Sequence, residues 1–334
     1  MDVQVKLFEQ IKAKLPAEEH LGKVLSELLE MSTDSVYRRL RGETSLTPEE
    51  IQLLCNHFEV SFDKIMGTTG QSVIFHYNPI KRSEFSFTQY LEGINYAFTR
   101  MLSQKYKKLH MNYVEVNLFQ LLHFPMLLKF KLVYFTKFYL NLPQMKEVKF
   151  SGDWTGGIPQ SLFNDTLVKY VKIPSEEVMD FENCKGLVRE IVNAYEMDMI
   201  ASKEDALDLL NETEKMFKHF IAQVTLSKKF IYGTDPSQIE ENYDVYVHPN
   251  YVPDNTVIAD TNAYRLLYIT HNMLNYLYSS DIEYVSKTFS VYTAMVKTCK
   301  KISSENASTR NAYSREILAF IDKARMRLEG VEML

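Results

Sequence analysis

The sequence predicts a mainly α protein in two parts: a five-helix N-terminal domain over residues 1–70 and a larger, predominantly helical domain over 71–334 that leaves room for a small β element. Three observations predict it. Short apolar patterns at helical spacing, each with start and stop residues, fill the first 66 positions. Tyr, Phe, Leu and Lys recur at helical spacing over residues 85–138. Between them, Gly67, Thr68, Thr69, Gly70, Gln71 and Ser72 carry no apolar period and mark a boundary. A chain of 334 residues also suggests about two domains by length alone.

The elements follow in order. Val3, Leu7, Phe8, Ile11 and Leu15 form one stripe that stops at Pro16, and Leu21, Val24, Leu25, Leu28 and Leu29 form a second. From Ser32 a third pattern runs through Val36 and Leu40 to Gly42, where a glycine can close a helix in the left-handed conformation. Thr47, Pro48 and Glu50 make a helix-start signal, and Ile51, Leu54, Cys55 and Phe58 supply that helix's buried face. Phe62, Ile65 and Met66 suggest a fifth helix. Beyond the boundary, residues 152–159 read as a glycine-rich loop around Trp154. Helices are expected over 175–200 and 203–231, the second started by Ser202. Residues 243–248 alternate as a strand, and 256–258 with 264–269 suggest a hairpin, although the last segment could equally begin a helix. Two helices with a polar break at 303–306 complete residues 284–328.

Composition narrows the function classes. With 46% hydrophobic residues, 24% charged residues and only 11 Gly and 10 Pro, the chain can bury a real core. Cys55, Cys184 and Cys299 are widely spaced and odd in number, which fits reduced thiols better than a disulfide framework or a metal site. The most apolar stretch, residues 116–142, is broken by His123, Pro125, Lys129, Lys131 and Lys137, against a membrane span. An N-terminus without a basic stretch and apolar core argues against export, so a cytoplasmic protein is expected. No phosphate-binding glycine pattern, nucleophile elbow, His-Glu-x-x-His helix or cysteine pair occurs. Neither enzyme activity, a metal nor a cofactor is therefore expected. His271 reads as a hydrogen-bonded core histidine, and the Lys and aromatic residues of 105–139 as the wet and buried sides of the same helices.

Within this frame, LSELLEMSTDSVYRRLRG over residues 25–42 resembles the phage-repressor-like (Xre) helix-turn-helix family, with flanking helices extending the likeness across about 3–66. Ser26 is small where two helices cross closely, Met31 is the apolar residue of the turn, Ser32 caps the next helix and Val36 anchors it. The resemblance implies a transcriptional regulator that binds double-stranded DNA, with a recognition helix at about 33–41 in the major groove. Thr33 and Asp34 then sit where base contacts are made, Tyr37 and Arg38 reach bases or backbone, and Arg39 and Arg41 meet phosphates. The sequence departs from the family at Gly22, Glu30 and Leu40, where a Gln, a Gly and an acid are usual. Acids outnumber bases in this domain, and its positive charge is local to Arg38, Arg39 and Arg41. A homodimer on a palindromic site would double that patch, while the second domain sets dimer geometry or answers an effector. The alternative is a protein-interaction adaptor that retains the helix-turn-helix scaffold.

Overall fold

A computed structural model describes residues 3–15, 19–58, 60–66, 72–77, 86–153, 159–250, 252, 254–271 and 275–330. The boundary residues 67–71, the loop around Trp154 and the stop at Pro16 lie outside the described residues. The chain forms two compact units, Met1–Val73 and Ile74–Leu334.

The first unit consists of α1 (Val3–Lys14), α2 (Leu21–Leu28), α3 (Thr33–Leu40), α4 (Pro48–Phe58) and α5 (Phe62–Met66). Their apolar stripes converge, so that Leu7, Ile11, Leu25, Val36, Leu54 and Ile65 share one core. Local chemistry sets the ends. The Ser32 side chain accepts from the Ser35 amide at 3.3 Å. Thr47 and Glu50 form a reciprocal cap at the start of α4: the Thr47 amide donates to Glu50 Oε2 at 2.9 Å, and the Glu50 amide to Thr47 Oγ1 at 3.2 Å. Gly42 has φ +75°, a conformation that side chains resist.

The second unit overturns the mainly α expectation, because its centre is an eight-stranded mixed sheet. The strands are β1 (His76–Tyr77), β2 (Lys107–Asn112), β3 (Ser175–Met179), β4 (Tyr243–Val247), β5 (Thr256–Thr261), β6 (Arg265–His271), β7 (Asn275–Ser279) and β8 (Lys300–Lys301). Their order is β1-β7-β6-β5-β2-β3-β4-β8. Strands β2, β3 and β4 run parallel, and the other pairings are antiparallel. Parallel neighbours need long crossovers. The helices α6 (Phe87–Leu102), α7 (Leu118–Leu121), α8 (Pro125–Phe138), α9 (Gln160–Lys172), α10 (Asn183–Glu196), α11 (Lys203–Leu226), α12 (Ile282–Val296) and α13 (Ala307–Glu329) account for the helical signal. Of these, α7 to α9 carry the chain from β2 to β3, and α10 and α11 carry it from β3 to β4.

The misreading of β2 and β3 has a physical reason. Residues 107–112 bury four consecutive side chains, because β2 is covered on both faces, and the alternation that reveals a half-buried strand is lost. Residues 175–179 contain two glutamates and a methionine, all good helix formers, yet pairing with β2 and β4 makes them a strand. The open alternative over 264–269 resolves as β6, the middle of an antiparallel β5–β6–β7 meander. By contrast β4, whose burial alternates along its length, was legible.

Successive strand residues face opposite sides. Met179 and Val245 join the large core built with α6, α8, α9, α10, α11 and α13, whereas Val178, Ile258 and Leu267 pack with Val285 and Tyr292 of α12. Among the described residues no helix is long and apolar enough to cross a membrane.

A carboxylate lies inside the large core. Glu177, on β3, is 0% exposed. Its Oε2 accepts from the hydroxyls of Tyr113 at 2.7 Å and Tyr243 at 2.9 Å, and its Oε1 from Tyr170 at 2.8 Å and Ser175 at 3.0 Å. Burial, followed by the charge of Glu177, pushes the three phenols well above the usual tyrosine range, so they remain protonated donors. The equally buried Lys229 donates to the Ile173 carbonyl and stands 4.0 Å from the Tyr170 ring centre. Burial pulls its ammonium down to about 7, partly countered by Glu177.

Replacing Tyr243 by Phe leaves Glu177 one donor short and is expected to destabilise the second unit by about 1.5–3 kcal/mol in urea titrations at neutral pH. A lysine lowered in the folded state binds fewer protons folded than unfolded, so stability rises as pH moves above the folded value of about 7. The clean window opens at about pH 7.5, once the unfolded counterparts of His123 and His219 have lost their protons, and ends at about pH 8.5, where unfolded thiols begin to ionise and Cys184, raised by burial to about 12 in the fold, opposes the trend. Between these limits stability should climb by up to about 1 kcal/mol per pH unit. The slope should flatten in Lys229→Met.

Candidate nucleic-acid interface

Helices α2 and α3 are joined by a tight turn over residues 29–32, and three features hold it. The Ser26 hydroxyl donates to the Met31 carbonyl at 2.6 Å, while the Met31 amide donates back to the Ser26 carbonyl at 3.2 Å. Glu30 sits at φ +51°, in the left-handed region. Leu25 of α2 and Val36 of α3 are buried together behind the turn. Ser26 is thus a participant in the turn as well as a small residue at a crossing.

Two contacts from distant residues fix the far end of α3. Gln4, on α1, donates from Nε2 to the carbonyls of Arg39 at 2.7 Å and Thr44 at 2.9 Å, and accepts from the Leu46 amide at 2.7 Å. One side-chain amide therefore bridges α1 to both the last turn of α3 and the loop beyond it. The Arg39 guanidinium forks onto Glu50, with Nε at 3.2 Å from Oε2 and the second amine at 2.8 Å from Oε1. These side chains are only 16% and 17% exposed, so the bidentate pair joins α3 to α4 in a partly dry setting. Sequence reading placed Glu50 in a helix cap and left Gln4 unremarked. Its partners lie 35 to 42 residues away, beyond any local signal.

The structure separates the six candidate residues. Thr33, Asp34, Tyr37 and Arg38 are exposed on α3, Arg41 is exposed at its C-terminal end, and Arg39 is turned onto Glu50. On the exposed face, Arg38 lies 3.3 Å from Asp34 one turn back, and Arg41 lies 2.6 Å from Glu43. Tyr37 is 49% exposed, and its ring leans on the backbone of α2. A Cβ placed on Gly22 would stand 3.1 Å from both Cζ and the hydroxyl of Tyr37.

The three departures from the resembled family acquire local explanations. Gly22 leaves the space that the Tyr37 ring occupies. Glu30 adopts the positive φ for which glycine is favoured. Leu40 packs against the core of the first unit. Elsewhere, His271 is exposed at the end of β6 and is not a core histidine; its neighbour Asn272 lies outside the described residues. Lysines of the aromatic stretch hold partners: Lys108 meets Glu176 and Asp244, and Lys131 meets Glu115 and Glu190. Two histidines scattered in sequence meet in space, since the His123 and His219 rings lie 4.7 Å apart in the core. Burial lowers them to about 3 and 4, which keeps both neutral. Comparison with family models, curated proteins and solved structures finds no match for this chain.

Glycine in place of Glu30 relieves the left-handed strain and is expected to stabilise the first unit by about 0.5–1 kcal/mol, after the extra freedom of the unfolded glycine is deducted. Native-state hydrogen exchange of the α2 and α3 amides measures the gain.

Proposed function

We propose that the chain is a sequence-specific DNA-binding transcriptional regulator that acts as a homodimer, with α3 as its recognition helix and the second unit setting dimer geometry or responding to an effector. The observation that carries this reading is the division of α3. Val36 is its one buried residue, while Thr33, Asp34, Tyr37 and Arg38 project outward from a helix braced by Gln4 and by the Arg39–Glu50 pair. A rigid helix with short polar side chains at its start and a cation one turn on suits the major groove, which admits one α-helix.

The roles of the arginines divide accordingly. Arg38 contacts bases or backbone, and Arg41 contacts phosphate. Arg39 holds α3 to α4. The Asp34–Arg38 and Arg41–Glu43 pairs are exposed, and such pairs are worth about 0–1 kcal/mol, so DNA oxygens can replace the carboxylates at small cost. Those same pairs leave the face nearly neutral, and this favours the second reading, an adaptor that presents α3 to another protein.

Duplex selection with the full chain should enrich a palindromic motif with half-sites about one helical turn apart. Arg38→Ala should then weaken binding by about 1–3 kcal/mol, with steep salt dependence in the parent protein. Selection that enriches nothing, together with a protein interface insensitive to Arg38→Ala, would replace this reading with the adaptor.

A further inference from the structure

A cavity of about 470 Å³ opens beside the carboxyl end of β2 in the second unit. Its wall is assembled from Phe87 of α6, Leu128 and Phe135 of α8, Val257 of β5 and Tyr276 of β7, together with the segment that follows β2. The volume lies within the range of small-molecule sites, and the ends of parallel strands are where α/β sheets hold ligands.

The lining is apolar and aromatic, yet two buried donors belong to it. The Tyr90 hydroxyl is engaged with that of Tyr276 and the Asn117 side chain with the Tyr170 hydroxyl, while Asn117 Oδ1 accepts from the Phe119 amide at 2.7 Å. With its donors engaged by neighbours, the wall asks no hydrogen bond of an occupant and offers it an apolar, aromatic surface. Charge around the cavity selects against anions. Lys131 is already held by Glu190 at 2.7 Å and Glu115 at 3.2 Å, and the carboxylates of Glu115 and Asp254 also lie along the wall.

We propose that this cavity binds an uncharged, largely apolar small molecule, seated among the aromatic residues Phe87, Phe135 and Tyr276. The assignment is independent of DNA binding, and its test involves no nucleic acid. Nile red, uncharged and largely apolar, is titrated into the full-length chain. Saturable, blue-shifted emission at one site per chain is expected, with affinity at least tenfold lower in Val257→Trp, which fills the cavity. N-phenylnaphthylamine, a second uncharged apolar probe, should compete with Nile red for the same site. Hydrogen exchange on the unmodified protein provides a readout that needs no variant: the probe should slow amides of residues 113–121. Absence of saturable binding, equal affinity in a folded Val257→Trp, or protection confined to other segments would overturn the proposal and leave water as the occupant.

Discussion

Removing a carboxylate from water and placing it in the middle of a sheet is among the most expensive things a fold can do, and the second unit is organised around having done it at Glu177. The penalty of burying such an ion is several kcal/mol, and it is offset only where hydrogen bonds satisfy the oxygens. Four hydroxyls do so here, from Tyr113, Tyr170, Ser175 and Tyr243. They come from different places: Tyr113 follows β2, Tyr170 closes α9, Ser175 starts β3 and Tyr243 starts β4. One side chain on the central parallel strand thereby ties together the exit of one neighbour, the entry of the other and the helix that precedes it. Lys229 lies over the Tyr170 ring and donates to the Ile173 carbonyl, and the charge of Glu177 partly restores the protonated form that burial disfavours.

The same constraint extends outward through neutral groups. Gln120 donates to Gln223 at 3.1 Å and lies 3.3 Å from the Tyr243 hydroxyl, and Gln223 donates to the Phe230 carbonyl. His219 also reaches that carbonyl and meets the His123 ring edge to face, and His123 accepts from the Tyr232 amide. Polar chains of this kind strengthen one another in a medium of low dielectric, and they specify one arrangement of α7, α11 and β4 where an oily core would tolerate several. Tyr113 also lines the cavity, so one wall of the candidate ligand site is set by the buried carboxylate. A ligand that moved that wall would act directly on the hydrogen bonds that hold the parallel strands.

In the first unit the corresponding device is smaller. Gln4 and Glu50 support α3 from two sides, and Glu50 serves twice, as the cap partner of Thr47 and as the counter-ion of Arg39. Because Arg39 is committed to that pair, the cationic character of the exposed face rests on Arg38 and Arg41, each already beside an acid. A surface of this kind exerts little long-range attraction, since exposed charges are screened within about 10 Å at ordinary salt.

The helices of the first unit were readable because their determinants are local: apolar residues at helical spacing, a Ser32 cap, the Thr47–Glu50 box and Gly42. Readable too were the exposed positions of α3, since Val36 is the one buried residue of that helix. The fate of Arg39 was not, because Glu50 is eleven residues away and on another helix. The sheet was hidden for a similar reason. Strands β2 and β3 are short, carry charged or helix-favouring residues and lose alternation when both faces are covered, so only their pairing with β4 and β5 makes them strands. Glu177 looked like any glutamate in a helical run, and nothing nearby in the chain announces its tyrosines, two of which lie more than sixty residues away. The sequence alone determined where helices begin and end in the first seventy residues, because capping and amphipathic spacing act within a few residues. Tertiary structure decided which strands exist, which charges are buried and where a cavity opens, because those depend on partners that meet only when the chain has folded.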